Sequence, residues 1–421
     1  MGRCGRSVSG RFRERRRNSL ALLRPHTQPV ALVNVGQLGR YTYGALLMLG
    51  ACASCREPTG VDSRYAPREC WYAADSGAAR SIPAIVGSTV VHATGSNTIV
   101  GRDSATGARR WESAILPRAS RGYELVAGGG VVVVLHNATA SGLEGNSGAV
   151  RWSYTTPTDQ GQAGTVAGNT PAADSAYAYV PAWGASVSAV DLRTGVARWI
   201  WRTPDTASTR AGAVGVAIAG DTVYATVWKW ITPTGTVTEQ WLVALDRRSG
   251  VELWREVFTE PLQFVNVFNA PVVSGRVIAF NLLNGQVFAV DRFSREHLWE
   301  SPPPRSANAV TDPPVVSGDT IFIPEGDGRT TARRITDGRI LWERSAALGP
   351  MQLAVAGARL WVEAGPYLTA LDRATGRVLW DGSIPNKPGV RSSLKGIMAM
   401  RGTVDGRLFI SAVGGTFCLR E

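Results

Sequence analysis

Residues Tyr367–Trp380 read YLTALDRATGRVLW: apolar residues alternate into an Asp, a short polar turn ends in Gly, and a second run closes on Trp. That pattern specifies a β-hairpin, because alternation with period two on either side of a turn signal lets each strand bury one face. Gly376 suits a turn position with positive φ, and Asp372 can accept hydrogen bonds from the turn's own amides. Close copies are VSAVDLRTGVARW (Val187–Trp199), LVALDRRSGVELW (Leu242–Trp254) and VFAVDRFSREHLW (Val287–Trp299). Weaker copies end at Trp111, Trp152 and Trp342.

The Trp makes these hairpins an array. Burying one indole removes about 150–250 Å² from water, worth roughly 4–6 kcal/mol as an upper bound. A lone hairpin has nothing to bury it against, so the rings must sit between neighbouring repeats. Eight Trp residues fall in this phase: Trp71, Trp111, Trp152, Trp199, Trp254, Trp299, Trp342 and Trp380. Their separations run from 38 to 55 residues, the length of one four-stranded propeller blade. The segment after each Trp supplies two more strands, as in Ala270–Phe280 and Pro314–Ile323. The predicted order in a unit is inner, second, third and Trp-bearing outer strand.

Trp71 has no blade before it, and Arg407–Glu421 supplies a second and a third strand but no outer one. The two anomalies answer each other if the strand around Cys70-Trp71 completes the last blade and closes the ring. The expectation is an all-β, eight-bladed β-propeller of four-stranded antiparallel blades, closed by its N-terminal strand. Among the other Trp residues, Trp361 is expected in a second strand as core. Trp228 and Trp230 fall in the longest unit, either as an exposed binding pair or packed within the blade, the commoner outcome.

Composition agrees with a turn-rich β protein: 47 Gly and 23 Pro accompany 44% hydrophobic and 19% charged residues. The net charge of +12 suggests an anionic partner until its distribution is read. Nine Arg and one Glu in residues 1–51 carry +8 of it, leaving +4 for the rest. The basic arm therefore reads as a targeting segment or a misassigned leader, with Val30, Val33 or Val35 as alternative starts, and nucleic acid is not expected. Gly44–Ala51 is too short to span a bilayer and fits a secretory apolar region. Leu49-Gly50-Ala51-Cys52 resembles the bacterial lipobox, which implies a diacylated Cys52 as mature N-terminus. Ala53 and Ser54 follow without an Asp, favouring delivery to the outer membrane, periplasmic face. The expected domains are 1–51 leader and signal peptide, 52–66 flexible linker and 67–421 propeller.

The repeat A-x-D-x-x-[ST]-G-x-x-x-W resembles that of the quinoprotein-like eight-bladed propellers, over essentially residues 67–421. That superfamily includes dehydrogenases holding pyrroloquinoline quinone (PQQ) with calcium in the central funnel. It also includes lipoprotein scaffolds of the outer-membrane β-barrel assembly machine, the BamB type. The resemblance implies the fold more firmly than the function. The dehydrogenases generally carry vicinal cysteines, and no Cys-Cys pair occurs here. They also need oxygen ligands for the metal and a carboxylate base. Asp312, Glu325 and Asp327 are the carboxylates weighed for this, and each reads more simply as a solvated loop charge.

Other catalytic signatures are thin. His26, His92, His136 and His297 lack metal-ligand spacing. Gly128-Gly129-Gly130 leads into the apolar run Val131–Leu135, a turn before a strand. No nucleophile elbow is present. The expected function is a non-enzymatic, monomeric lipoprotein scaffold, without cofactor, docking protein partners in β-barrel assembly. The alternatives are a PQQ-dependent alcohol or sugar dehydrogenase and a periplasmic or surface propeller with another ligand. Counting pairs outward from the turn places Ala370 opposite Leu379. The same alignment makes Cys70 and Cys418 direct cross-strand neighbours, predicting a disulfide that locks the ring.

Overall fold

The structure, a computed structural model, describes residues 63–421 apart from 76–80, 115–122, 137, 158–169, 183, 204–210, 231–236, 262–269, 283–284, 304–312, 326–327, 346–351, 365–366, 384–396 and 413. Its strands form eight four-stranded antiparallel sheets. The one helical element among the described residues is the 3₁₀ turn Ser63–Tyr65. It lies within the stretch read as linker, and the Tyr65 carbonyl accepts from the Arg359 guanidinium at 2.8 Å.

Seven blades take their strands in chain order: blade 1 (84–113), blade 2 (124–155), blade 3 (172–202), blade 4 (211–261), blade 5 (272–300), blade 6 (315–345) and blade 7 (352–383). Blade 8 uses Ile397–Gly402, Arg407–Ala412 and Gly415–Arg420, and its outer strand is Arg68–Ala74 from the other end of the propeller. Blade number, strand order and closure follow the sequence expectation.

The turn before the Trp strand has one backbone shape in blades 1 to 7. Gly195, Gly250 and Gly376 donate their amides to the carbonyls of Asp191, Asp246 and Asp372 at 2.8 Å, with φ of 73°, 74° and 69°. The Asp carboxylate accepts from the next two free amides, as Asp372 does from Ala374 and Thr375 at 3.1 and 2.9 Å. Arg295 takes the glycine's place in blade 5 at φ 67°.

Just past each turn, the outer strand carries a bulge. In blade 7 the pairing Leu371↔Val378 is followed by Ala370↔Trp380, with Leu379 as the extra residue. This corrects the expected pairing of Ala370 with Leu379, since an inserted residue moves every later partner by one. The same bulge puts Trp111 opposite Gly101, Trp152 opposite Gly142, and Trp199 opposite Ala189. A small residue is required there: a Cβ on Gly101 would lie 2.1 Å from the Trp111 ring.

The core is divided by seam. Each hydrophobic cluster joins two neighbouring blades, from blades 1 and 2 around Trp111 to blades 7 and 8 around Trp361 and Phe417. The last, Trp71, Val90, Phe409 and Cys418, joins blade 8 to blade 1. Trp361 is fully buried as expected, and Trp228 is also core.

Candidate functional site

A buried polar cluster stands at the closing seam. Asp75, just past the strand Arg68–Ala74, pairs with Arg102 of blade 1 and accepts from the Thr416 hydroxyl at 3.1 Å. Thr416 is also 3.2 Å from the His92 ring nitrogens. Because a hydroxyl has one proton and a carboxylate only accepts, Thr416 donates to Asp75 and receives from His92. Burial lowers the His92 pKa to about 4, against the raising effect of Asp75 and with a smaller lowering from Arg102. The imidazole is therefore neutral near pH 7. His92, Thr416 and Arg102 are all buried, so the cluster offers a substrate no approach and acts as a polar joint.

A cavity of about 540 Å³ opens along the inner strands of blades 6 to 8, walled by Val315, Leu353, Val355 and Met400 with Arg373 and Arg401. Arg401 is exposed to this space, yet desolvation by the surrounding wall lowers its pKa. Arg373 donates to the Ser317 hydroxyl at 2.9 Å. A quinone with its calcium needs carboxylate oxygens and a flat apolar surface. The lining holds neither a carboxylate nor an aromatic ring, and no group of three metal-ligating side chains exists among the described residues. The residues lining this cavity do not fit that cofactor.

The third feature is the rim of blade 4, whose last three strands are Thr222–Trp230, Val237–Asp246 and Glu252–Pro261. The extra length of this unit goes into strands. Trp241 has two cations over its ring, Lys229 at 5.6 Å and Arg255 at 4.6 Å. Glu252 pairs with Arg255 and accepts from the Trp201 indole of blade 3 at 3.1 Å. Val251, just before the last strand, and Leu253 and Val257 within it are exposed. Exposed apolar residues on an outermost strand are suited to protein contact.

Of the residues singled out from sequence, Cys52, Asp312 and Asp327 lie outside the described residues. Glu325 corrects its expectation as a solvated charge: it is buried, and its carboxylate accepts from the Thr331 hydroxyl at 2.9 Å. Six of the eight repeat tryptophans are tied across their seams. Trp71, Trp111, Trp152, Trp199, Trp299 and Trp342 donate to Ser104, Gly145, Leu192, Arg247, Ile335 and Arg373 carbonyls at 2.7–3.1 Å. Trp254 and Trp380 are only partly buried. Cys418 is buried and Cys70 half-buried, both as free thiols. The pairing is Trp71↔Cys418, with Cys70 in the bulge, which corrects the predicted direct opposition of Cys70 and Cys418. The Asp75 cluster was missed, because its members come from three distant stretches and none forms a motif.

Fold and site together define an eight-bladed propeller built of PQQ-type repeats, closed by a buried polar joint. The family profile described as "Outer membrane protein assembly factor BamB" matches residues 63–229, 200–382 and 238–419. The chain belongs to that family.

Curated relatives of the same description come from Pseudomonas aeruginosa, 28% identical over 169 residues, and Kangiella koreensis, 27% over 130 residues. These matches cover 35% and 28% of this chain, and it spans less than half of those relatives, 44% and 34%. Among solved structures, BamB from Moraxella catarrhalis is 21% identical with a TM-score of 0.51, covering 68% of this chain and 82% of that one. A quinohemoprotein alcohol dehydrogenase from Comamonas testosteroni is 14% identical with a TM-score of 0.63, covering 87% and 78%. At such identities these likenesses establish the fold alone.

Proposed function

We propose that the chain is a non-enzymatic scaffold on the periplasmic face of the outer membrane, docking protein partners during assembly of β-barrel outer-membrane proteins. The observation that carries the reading is the family match across 63–419. Cys52 is the proposed lipid anchor, resting on the lipobox-like Leu49–Cys52. The working form is a monomer without cofactor. Docking uses side-chain anchors and edge-strand pairing at the rim, and the exposed apolar residues on blade 4 have the chemistry for it.

Capture of the tagged full chain from mildly solubilised membranes should bring down the large outer-membrane barrel that carries periplasmic repeat domains. Recovery of the chain without it overturns the reading. Cys52→Ala should abolish labelling by fatty acid and release the protein from the membrane. The dehydrogenase alternative draws on likeness of fold to the quinohemoprotein enzyme. PQQ and calcium with a panel of alcohols and sugars test it, and dye-linked oxidation would displace the scaffold reading.

A further inference from the structure

We propose that Cys70 and Cys418 form a disulfide that clamps the ring shut, joining the first strand of the propeller to the last. In the other seven blades the residue opposite Trp is Gly or Ala: Gly101, Gly142, Ala189, Ala244, Ala289, Ala332 and Ala370. The bulged residue before Trp is Arg or Leu, as at Arg110, Arg198, Leu253 and Leu379. Only the closing blade, the one assembled from both ends of the propeller, has cysteine in both slots.

A bulge sets two residues against one, so Cys70 and Trp71 together face Cys418. The one-residue offset from simple strand counting therefore leaves the two thiols adjacent. Both pack in the seam cluster with Trp71, Val90 and Phe409, so each thiol has the other as a neighbour. Burial and this neighbour raise the Cys418 pKa. In the closed ring Cys418 is thus a poor nucleophile and hard to reach. The bond forms as the last strand docks and is then shielded from reductants.

The oxidant is the disulfide of a thiol–disulfide oxidoreductase in an exported compartment. One protein thiolate attacks it to give a mixed disulfide, and the other displaces the carrier's sulfur. Two protons and two electrons leave the cysteine pair, and the carrier is reduced to its dithiol. This step rests on export of the chain and is independent of any role in barrel assembly.

The test uses the full chain, alkylated under denaturing conditions and mapped by mass spectrometry without reduction. The exported protein should yield one cross-linked peptide pair containing Cys70 and Cys418. Chain purified from a reducing cytoplasm should form the same pair in a glutathione redox buffer. The second arm separates failure of the bond from failure of export: free thiols at both positions in that buffer overturn the proposal.

Cys418→Ala and Cys70→Leu install residues that other blades use, so both should fold. Reduction should lower the folding equilibrium constant of the native sequence by on the order of a thousandfold, as expected for cross-linking so long a loop. It should leave both variants unchanged. A cross-link whose reduction leaves the unfolding midpoint in place overturns the clamp.

Discussion

The seam between blades 3 and 4 and the seam between blades 8 and 1 do the same job with different chemistry. The first buries fifteen apolar side chains, Trp199, Trp201 and Trp241 among them. The second buries four, Trp71, Val90, Phe409 and Cys418, and adds the paired Asp75 and Arg102 with His92 and Thr416. Apolar burial supplies stability without direction. A polar cluster is satisfied in one register only, which suits the seam where the chain's two ends must find each other.

The contrast can be broken most strongly at the rings. Trp199→Ala should cost about 3–5 kcal/mol, the usual range for emptying an indole site in a core. It also leaves the Arg247 carbonyl without its donor. Urea unfolding measures this, and a loss below about 1 kcal/mol would mean that seam 3/4 repacks freely.

At the closing seam the corresponding lever is charge. Asp75→Asn leaves Arg102, whose side chain is 8% exposed, without its carboxylate. Unpairing a buried ion typically costs ~3–5 kcal/mol. Replacing Asp75 and Arg102 together by apolar residues should recover much of that loss, because the desolvation penalty of the pair disappears as well. A double variant as unstable as the single one would show that the cluster acts through Thr416 and His92 instead.

These two seams also differ in how far they can be read from sequence. The repeat, the turn and the tryptophans recur in phase, so blade number, strand order and ring closure are legible. The bulge is invisible to period-two counting, because the extra residue Leu379 is as apolar as a paired one. Such counting gives Cys70 and Ala370 each a partner one residue off. Glu325 looked solvated because its partner Thr331 comes from the next strand. Asp75, His92 and Thr416 meet only when the ring closes.

Acid should separate the seams next. The folded His92 pKa of about 4 lies below the ordinary 6.5. Between those values the unfolded chain binds the proton and the folded chain does not. Stability therefore falls as pH drops from about 7 to about 4 and is flat with respect to this group below that, by on the order of 3 kcal/mol. Asp103 acts in a separate window. The Thr106 amide first, then Arg110, hold its pKa at about 2, so its contribution is present above about 4 and lost as pH falls towards 2. His92→Asn should flatten the first window and leave the second. Equal slopes in native sequence and variant between pH 7 and 4 would remove His92 from the account.

The smallest effect is expected at two turns, one at each seam of blade 4. On the seam 3/4 side, Gly250 covers Trp199, and a Cβ there would approach the ring to 2.5 Å at φ 74°. Gly250→Ala should cost about 2 kcal/mol, from left-handed strain and displacement of the ring. On the seam 4/5 side, Arg295 holds the equivalent turn position at φ 67°, and Trp254 is only partly buried. Arg295→Gly removes strain of about 1–2 kcal/mol but adds unfolded-state freedom of about 0.5–1 kcal/mol. The net gain should be about 0.5–1 kcal/mol, read as a small upward shift of the thermal midpoint. If Arg295→Gly instead destabilises the protein, the arginine side chain holds seam 4/5 by contacts that outweigh its backbone strain, and that seam would have an anchor of its own in place of the glycine–tryptophan stack.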